Sequence, residues 1–268
     1  MESDWKQRYG KWALVTGASS GLGADFVRQL ARKKMNIILV ARRVDRMNAI
    51  AEEIENECGV KTQVIGQDLI RSDAIDNIIN GVGDKEIGVL INNAGYGVLG
   101  KFHENDYDYQ VNMVKLNCVT PVALTNAFIA PMVKRGKGAV IFLASTAAYQ
   151  GLPFFSVYAA TKSFNLLLAE GLWGEYRKHG IDIMGLSPGY TATEFQSHAN
   201  IERSKGPSPA KSEDVVELAI RKLGRRASII HGIINKIGAF SARLMPRGTS
   251  VKLGGALMKI MRPGLRFI

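Results

Sequence analysis

Three side chains in the middle of the chain have the types and spacing that proton transfer requires. Tyr158 and Lys162 stand four residues apart in the segment YAATK, and Ser145 lies upstream of them. Residues at positions i and i+4 share one helix face, so the phenol and the ammonium can point into one site. A nearby ammonium lowers the pKa of a phenol and makes it a usable acid and base. A Tyr–Lys pair alone would also suit a solvent-exposed helix face.

A glycine-rich turn follows the first apolar run. Gly17, Gly21 and Gly23 form the pattern G-x-x-x-G-x-G between a predicted strand and a predicted helix. Glycines allow the backbone to approach a pyrophosphate, which then lies at the positive end of the helix. The spacing differs from G-x-G-x-x-G, and a purely structural turn is the alternative. The context predicts a dinucleotide site.

The end of the second predicted strand indicates which nicotinamide cofactor binds. A fold that prefers NAD places a carboxylate there for the ribose 2′-hydroxyl. This chain has Ala41, Arg42 and Arg43 instead. Because a guanidinium binds phosphate through paired hydrogen bonds, the arginines favour NADP(H) over NAD(H). The alternative is that they only form a solvated helix entry.

The elements around these residues alternate between strand and helix. Short apolar runs predict seven strands, at 12–16, 36–41, 62–66, 87–91, 138–144, 181–186 and 228–231. Amphipathic or apolar stretches predict helices at 22–34, 45–57, 72–82, 105–134, 156–178 and 213–224. This alternation is typical of an α/β fold of the Rossmann type, a doubly wound parallel sheet with helices on both faces. Residues 1–232 then form one catalytic domain, with a polar substrate loop at about 190–212.

Six segments together resemble the short-chain dehydrogenase/reductase superfamily. The resemblance spans residues 10–232, and the ILVARR segment and the basic C-terminus favour the branch with hydroxysteroid dehydrogenases and long-chain 3-oxoacyl reductases. The segments are TGASSGLG (16–23), NNAG (92–95), Asn117, Ser145, YAATK (158–162) and SPGYTATEF (187–195).

The resemblance implies a catalytic set of four residues. Tyr158 would give a proton to a carbonyl oxygen or take one from an alcohol, and Ser145 would orient that oxygen. Lys162 would lower the Tyr158 pKa and bind the nicotinamide ribose. Asn117 would support a water that links Lys162 to solvent.

The resemblance also implies the cofactor contacts, whereas the four scattered histidines share no metal-ligand spacing and predict no metal site. Five residues would surround the pyrophosphate and adenosine ribose: Gly17, Ser19, Ser20, Gly21 and Leu22. Arg42 would meet the 2′-phosphate, and Asp68 and Leu69 would lie beside the adenine. Asn93, Ala94 and Gly95 would line the cofactor behind strand four. The nicotinamide and its ribose would contact Pro188, Gly189, Thr191, Tyr158 and Lys162.

The predicted activity is that of an NADP(H)-dependent oxidoreductase. It would interconvert a carbonyl and a secondary alcohol on an apolar substrate, such as a ketosteroid or a 3-oxoacyl compound, by hydride transfer. A second hypothesis is an NADP-binding sensor or scaffold whose basic tail binds a membrane or a partner. The complete catalytic set argues against the second hypothesis as the only role.

The net charge of +11 is confined to the end of the chain. The first 217 residues carry 24 basic and 24 acidic side chains, and the last 51 carry eleven basic ones and no acid. Residues 232–246 and 250–262 have apolar side chains at helical spacing, so 233–268 is predicted to be a basic amphipathic extension of the same domain. It could lie on an anionic membrane, form a wall of an apolar pocket whose cations attract an acidic head group such as a CoA phosphate, or pack against the body or another subunit. Nothing in the chain resembles a nucleic-acid-binding motif.

Weaker features of the sequence predict the compartment and the assembly. The chain has two cysteines, Cys58 and Cys118, and lacks an obvious signal peptide or an apolar run of ~20 residues, which predicts a cytoplasmic protein, with membrane association through the tail as an alternative. Gly171 and Gly174 would let the Tyr/Lys helix approach another helix closely. This favours a homodimer or homotetramer, although a plain helix irregularity would explain the glycines equally well.

Overall fold

The structure, a computed structural model, describes residues 5–195, 199 and 208–261. Its centre is a seven-stranded, all-parallel sheet in the order β3-β2-β1-β4-β5-β6-β7. The strands are β1 Trp12–Thr16, β2 Asn36–Ala41, β3 Thr62–Gly66, β4 Ile87–Asn92, β5 Gly138–Leu143, β6 Ile181–Ser187 and β7 Ser228–Ile230. The predicted doubly wound α/β fold is therefore confirmed.

Helices cover both faces of the sheet. They are α1 Trp5–Tyr9, α2 Gly21–Arg32, α3 Val44–Cys58, α4 Ala74–Val82, α5 Tyr107–Val114, α6 Thr120–Arg135, α7 Ser156–Tyr176, α8 Ser212–Lys222, α9 Ile233–Leu244 and α10 Arg247–Met261. A π-helical turn, Lys115–Val119, joins α5 to α6, and a 3₁₀ turn, Thr146–Tyr149, follows β5. The sequence did not predict α1. Of the loop expected at about 190–212, residues 196–198 and 200–207 lie outside the described residues.

The two faces of the sheet bury separate apolar clusters. In β1, Ala13 and Val15 pack towards α2 and α3, whereas Leu14 packs on the opposite side with the α6 residue Leu124. Successive side chains of a strand point to opposite faces, so a strand covered on both faces must be apolar throughout. This explains the unbroken apolar runs in the sequence.

The continuous helical stretch Tyr107–Arg135 is long and apolar enough, by length and composition, to cross a membrane. Half of its most apolar window is buried inside the protein. Leu124, Phe128 and Met132 pack against the sheet in one of the two main clusters. This stretch is apolar because these side chains are buried against the sheet, as in a core helix.

The strand order reverses direction between β1 and β4, which opens a crevice at the carboxyl edge of the sheet. Backbone amides of the segment after β4 tie that segment to the end of β1. Asn93 N and Ala94 N donate hydrogen bonds to Thr16 Oγ1 at 3.0 and 3.1 Å. The glycine turn after β1 and the NNAG segment after β4 therefore line the same crevice.

Candidate active site

The glycine turn after β1 has backbone angles that residues other than glycine rarely adopt. Gly17 and Gly21 have φ angles of +65° and +52°, in the left-handed region. A Cβ atom on Gly23 would collide with the carbonyl oxygen of Gly17. The turn is therefore held tight against the start of α2, as a close approach of backbone to a pyrophosphate requires.

The amino end of α2 is arranged to receive an anion. Ser20 precedes the helix, and its hydroxyl accepts a hydrogen bond from Arg43 Nη2 at 2.6 Å instead of capping the first turn. The first turn carries no acidic residue. Positive helix ends with amides left for a ligand bind phosphate groups well. The cradle formed by the glycine turn and the amino end of α2 therefore fits a dinucleotide pyrophosphate. Ser19 and Leu22 flank this cradle.

Arg43, and not only Arg42, lies beside this cradle. Arg43 Nε donates to Ser19 Oγ at 3.1 Å, and Arg43 Nη1 pairs with Glu194 at 2.6 Å. Glu194 also pairs with Arg46 at 2.5 Å, and the two guanidiniums lower the pKa of the carboxyl to about 2. From the sequence, Arg42 and Arg43 were both candidates to bind a phosphate, and the 2′-phosphate was predicted to lie at Arg42. Spacing alone could not tell which of two adjacent arginines turns towards the serines.

Arg42 lies on the neighbouring side of the crevice, at the end of β2. Its side chain is exposed, and its charge opposes the rise in pKa that burial causes in Tyr96 and Tyr109. Leu69 is buried, and Asp68 Oδ1 accepts a hydrogen bond from the amide of Ile70 at 3.2 Å. The placement of the adenine beside Asp68 and Leu69 stays a prediction.

The segment after β4 is fixed from two directions. Asn93 Nδ2 donates to the carbonyl oxygens of Thr16 and Gly17 at 2.8 and 3.3 Å. A Cβ atom on Gly95 would stand 2.8 Å from Asn117 Oδ1, closer than side chains normally approach. Asn93, Ala94 and Gly95 therefore connect the glycine turn to the buried residues of the catalytic set.

Ser145, Tyr158 and Lys162 are brought together by β5 and α7. Ser145 follows β5 and stands at the start of the 3₁₀ turn, where Oγ accepts a hydrogen bond from the amide of Ala147 at 3.1 Å. Tyr158 and Lys162 lie one turn apart on α7, and both are buried. The Ser145 side chain acts on the Tyr158 phenol as a hydrogen-bonding neighbour that lowers its pKa. The structure therefore places these three side chains close together.

The electrostatics of the pair differ from the sequence expectation. Burial raises the pKa of Tyr158 to about 12, and the hydrogen bond with Ser145 opposes that rise. Burial lowers the pKa of Lys162 to about 8. The Lys162 ammonium donates to the carbonyl oxygen of Leu143 at 2.7 Å and lies 5.7 Å from the centre of the Tyr158 ring. At this site the desolvation of the phenol therefore outweighs any lowering of its pKa by Lys162.

Asn117 lies in the π-helical turn between α5 and α6 and is fully buried. Its Nδ2 donates to the Tyr96 carbonyl oxygen at 2.9 Å and to Thr161 Oγ1 at 3.0 Å, and its Oδ1 accepts from Tyr96 N at 3.2 Å. Asn117 thus connects the segment after β4 to α7 beside Lys162. A π-helical turn within a longer helix often marks a functional position.

The Pro-Gly turn after β6 lies beside Ser145 at the carboxyl edge of the sheet. The Pro188 carbonyl oxygen accepts a hydrogen bond from Thr146 N at 3.0 Å, which holds the turn next to Ser145. Thr191 is buried, and its Oγ1 donates to the Gly189 carbonyl oxygen at 3.0 Å. A Cβ atom on Gly189 would collide with Asn235 of α9. The extension therefore begins in contact with this turn.

An apolar wall surrounds Tyr158. Phe155 stacks on the Tyr158 ring at a centroid distance of 4.4 Å, and Phe195 lies at 5.3 Å. Met258 of α10 is buried in the same cluster, together with Leu152. The sequence did not decide whether Met258 is a core residue or a pocket residue. Its packing places it in the cluster that contains Tyr158.

A buried phenol, a buried amine and a half-buried hydroxyl thus stand at the carboxyl edge of a parallel sheet, beside a cradle that fits a dinucleotide. With a nicotinamide in the crevice, this arrangement can exchange a hydride and a proton with a carbonyl or an alcohol.

Comparisons with known proteins agree with this reading. The sequence profile described as short chain dehydrogenase matches residues 11–204. The chain is 30% identical to a 7beta-hydroxysteroid dehydrogenase of Clostridium sardiniense, over 87% of this chain and 90% of that protein. It is also 30% identical to the very-long-chain 3-oxoacyl-CoA reductase of Mus musculus, over 95% of this chain and 82% of that protein.

Solved structures are similar over almost the whole chain. A structure reported in a study of 7beta-hydroxysteroid dehydrogenase stereoselectivity superposes with a TM-score of 0.86 at 25% identity, covering 94% of this chain and 99% of that one. A short-chain dehydrogenase from Sphingobium yanoikuyae in complex with NADPH superposes with a TM-score of 0.78 at 27% identity, covering 96% and 98%.

Proposed function

Because this chain belongs to the short-chain dehydrogenase family, we propose that it is an NADP(H)-dependent oxidoreductase that interconverts a carbonyl and a secondary alcohol on an apolar substrate. The observation that carries the proposal is the Ser145–Tyr158–Lys162 group, with Tyr158 and Lys162 buried and Ser145 half-buried, which stands between the dinucleotide crevice and an apolar wall.

The four residues of the catalytic set have separate tasks in this proposal. Tyr158, whose raised pKa keeps the phenol protonated at neutral pH, donates its proton to the carbonyl oxygen during reduction and recovers it from the alcohol during oxidation. Ser145 donates a hydrogen bond to the same oxygen and orients it. Lys162 binds the ribose and Asn117 supports a proton path from Lys162 to solvent. The bound nicotinamide supplies or accepts the hydride.

The substrate class is inferred from the side chains that cluster with Tyr158. They are aromatic or aliphatic and carry no charge, namely Phe155, Phe195, Leu152 and Met258. Such a surface favours ketosteroids, 3-oxoacyl compounds or similar bulky apolar ketones over sugars. Relatives named as hydroxysteroid dehydrogenase and 3-oxoacyl-CoA reductase support this range.

A substrate panel tests the activity. The purified full chain is incubated with NADPH and with ketosteroids, 3-oxoacyl thioesters, simple bulky ketones and polar ketoses, and NADPH consumption is followed by absorbance. We expect turnover of apolar ketones and little turnover of ketoses. Tight NADPH binding without turnover on any ketone would favour the sensor or scaffold alternative.

The choice of cofactor is tested on the two adjacent arginines. We expect Arg43→Ala and Arg42→Ala each to weaken NADPH binding, by about tenfold or more, and to leave NADH binding nearly unchanged, because each loses a charge-assisted contact to the 2′-phosphate. Arg43→Ala has the larger expected effect, because Ser19 and Ser20 already hold the Arg43 guanidinium beside the glycine turn, whereas Arg42 is exposed. Fluorescence titration with both cofactors measures the effect, and Arg177→Ala, on the 3₁₀ turn after α7, serves as the control.

The assembly and location are parts of the same proposal. Phe164 and Leu167 on α7 and Val119 and Val122 on the α5–α6 stretch are exposed apolar residues, as a contact between subunits requires. Among the described residues nothing lies within 4 Å of the Cβ positions of Gly171 and Gly174, so α7 is open to another helix there. We propose a cytoplasmic homodimer or homotetramer joined through these helices, in which 1–232 and the extension form one catalytic domain. Light scattering on the purified chain measures the assembly, and a monomer mass would refute it.

A further inference from the structure

The helix α9 carries an apolar stripe on its outer side. Ile234 and Leu244 are each 72% exposed, and the other three members of the stripe are 63–69% exposed. The residue that α9 buries is Ala239. The outer stripe, named here the α9 stripe, consists of Ile233, Ile234, Ile237, Phe240 and Leu244.

This orientation is the reverse of that in an ordinary surface helix. An amphipathic helix of a globular protein normally turns its apolar stripe to the core, and monomeric proteins rarely expose a continuous apolar patch of this kind. The helix is held in this orientation by contacts on its inner side. Asn235 lies against Gly189 and donates to the His231 carbonyl oxygen at 2.8 Å, and the Arg243 guanidinium lies over the Tyr149 ring at 5.4 Å.

Cations border the stripe. At 100° per residue, Lys236 and Arg243 fall on one edge of the stripe, between it and the buried side of the helix. A long basic side chain such as Lys236 can extend its charged end to a polar boundary while the apolar residues enter a less polar layer, whereas the Arg243 guanidinium lies over the Tyr149 ring. The adjacent helix α10 adds exposed Lys252 and Lys259, together with exposed Leu253.

The charge of the extension selects among possible occupants. From Leu218 to the end the sequence has eleven basic residues and no acid, so two copies that met through this surface would bring cations against cations. An anionic lipid surface offers both partners that the stripe needs, an apolar layer for Ile, Phe and Leu and a negative surface for Lys and Arg. From this match we propose that the α9 stripe docks the enzyme on the surface of a bilayer that contains anionic phospholipid.

The docking surface is coupled to the candidate active site through the same extension. The helix α10, next along the chain, buries Met258 in the cluster around Tyr158, and Ser250 Oγ donates to Gln150 Oε1 at 2.7 Å. A bilayer against α9 would therefore lie beside the helix that walls the apolar site, where a lipid-dissolved ketone could enter. This last point rests on the proposed function, whereas docking itself does not.

Vesicle sedimentation with the full chain tests the proposal. The protein is mixed with vesicles of phosphatidylcholine alone or of phosphatidylcholine with phosphatidylserine, and the pelleted fraction is measured at low and high salt. We expect at least about tenfold stronger binding to the anionic vesicles, with a loss of binding as salt screens the cations. Equal binding to both vesicle types, or none to the anionic vesicles, would overturn the proposal.

Matched variants locate the contact. The double variant Ile237→Glu/Phe240→Glu should abolish sedimentation, and Lys236→Glu should weaken it. Phe102→Glu is the control because Phe102 is 67% exposed but lies far along the chain from the extension. Each variant is checked for an unchanged melting temperature and unchanged NADPH binding, so a failure to fold is separated from a failure to dock. Sedimentation that survives the double variant contradicts the assignment.

Two further readouts separate the remaining outcomes. If a second copy covers the α9 stripe, the double variant has a smaller mass than the wild type in light scattering without vesicles, and that result overturns the proposal. If the stripe binds lipid, the mass stays unchanged. Turnover of a water-soluble ketone should be the same for the wild type and the double variant, so docking can fail or succeed independently of the catalytic assignment.

Discussion

Replacing Tyr158 by phenylalanine is expected to lower kcat for reduction by about 100- to 10,000-fold, the usual contribution of a positioned general acid. The substitution removes only the hydroxyl, so the stacking on Phe155 at 4.4 Å and the contact with Phe195 remain. The substrate oxygen then loses its proton donor, while the apolar wall and the crevice stay intact. Steady-state kinetics with the best ketone of the substrate panel measure the change.

The control for this variant is another tyrosine-to-phenylalanine change. Tyr107 on α5 is 74% exposed, and Tyr107→Phe should leave kcat unchanged. NADPH affinity should differ little between Tyr158→Phe and the wild type, because the pyrophosphate cradle and Arg43 are unaltered. If Tyr158→Phe retains near wild-type kcat, the assignment of Tyr158 as the proton donor is wrong.

Replacing Lys162 by methionine is expected to abolish most activity and, at neutral pH, to raise the free energy of unfolding. Burial holds the pKa of Lys162 at about 8, below the usual 10.5. A depressed amine pKa means that the folded protein disfavours the charged form. At any pH where the amine is protonated in both the folded and the unfolded state, burying its charge therefore costs the wild type free energy of unfolding. The cost is up to about 3 kcal/mol at 1.36 kcal/mol per pKa unit. The lost hydrogen bond to the Leu143 carbonyl oxygen reduces the gain of the variant.

The sign of the pH dependence follows from proton counts. Between pH 8 and 10.5 the unfolded chain binds the proton at this position and the folded chain does not, so the Lys162 contribution to wild-type stability rises with pH. The stability difference between Lys162→Met and the wild type should therefore be largest below pH 8 and should shrink towards pH 10.5. Chemical denaturation at several pH values measures it.

A surface lysine provides the matched control for this experiment. Lys134 on α6 is exposed, and Lys134→Met should show no such dependence on pH and no loss of activity. A Lys162→Met protein that is less stable than the wild type at every pH would contradict the interpretation that burial of the ammonium strains the fold. Full turnover by the same variant would contradict the role of Lys162 at the ribose.

Much of the fold and of the site could be predicted because the relevant patterns are local. The apolar run of β1, the glycine at each tight position of the next turn and the four-residue spacing of Tyr158 and Lys162 depend on backbone geometry and on the period of an element. The parallel order of the strands then brings the ends of β1, β4 and β5 to one edge. Asn117 was predicted in a helix, but the π turn that it occupies was not.

The sequence by itself determined the seven strands, the glycine turn after β1, the types of the candidate catalytic residues and the confinement of the excess charge to the last 51 residues. Only the tertiary structure decided that Arg43 turns to Ser19, that burial dominates the pKa of Tyr158, and that Met258 joins its cluster while the α9 stripe faces outward. The physical reason is that residue type and spacing act within one element. Burial and side-chain direction depend instead on which distant elements pack against it.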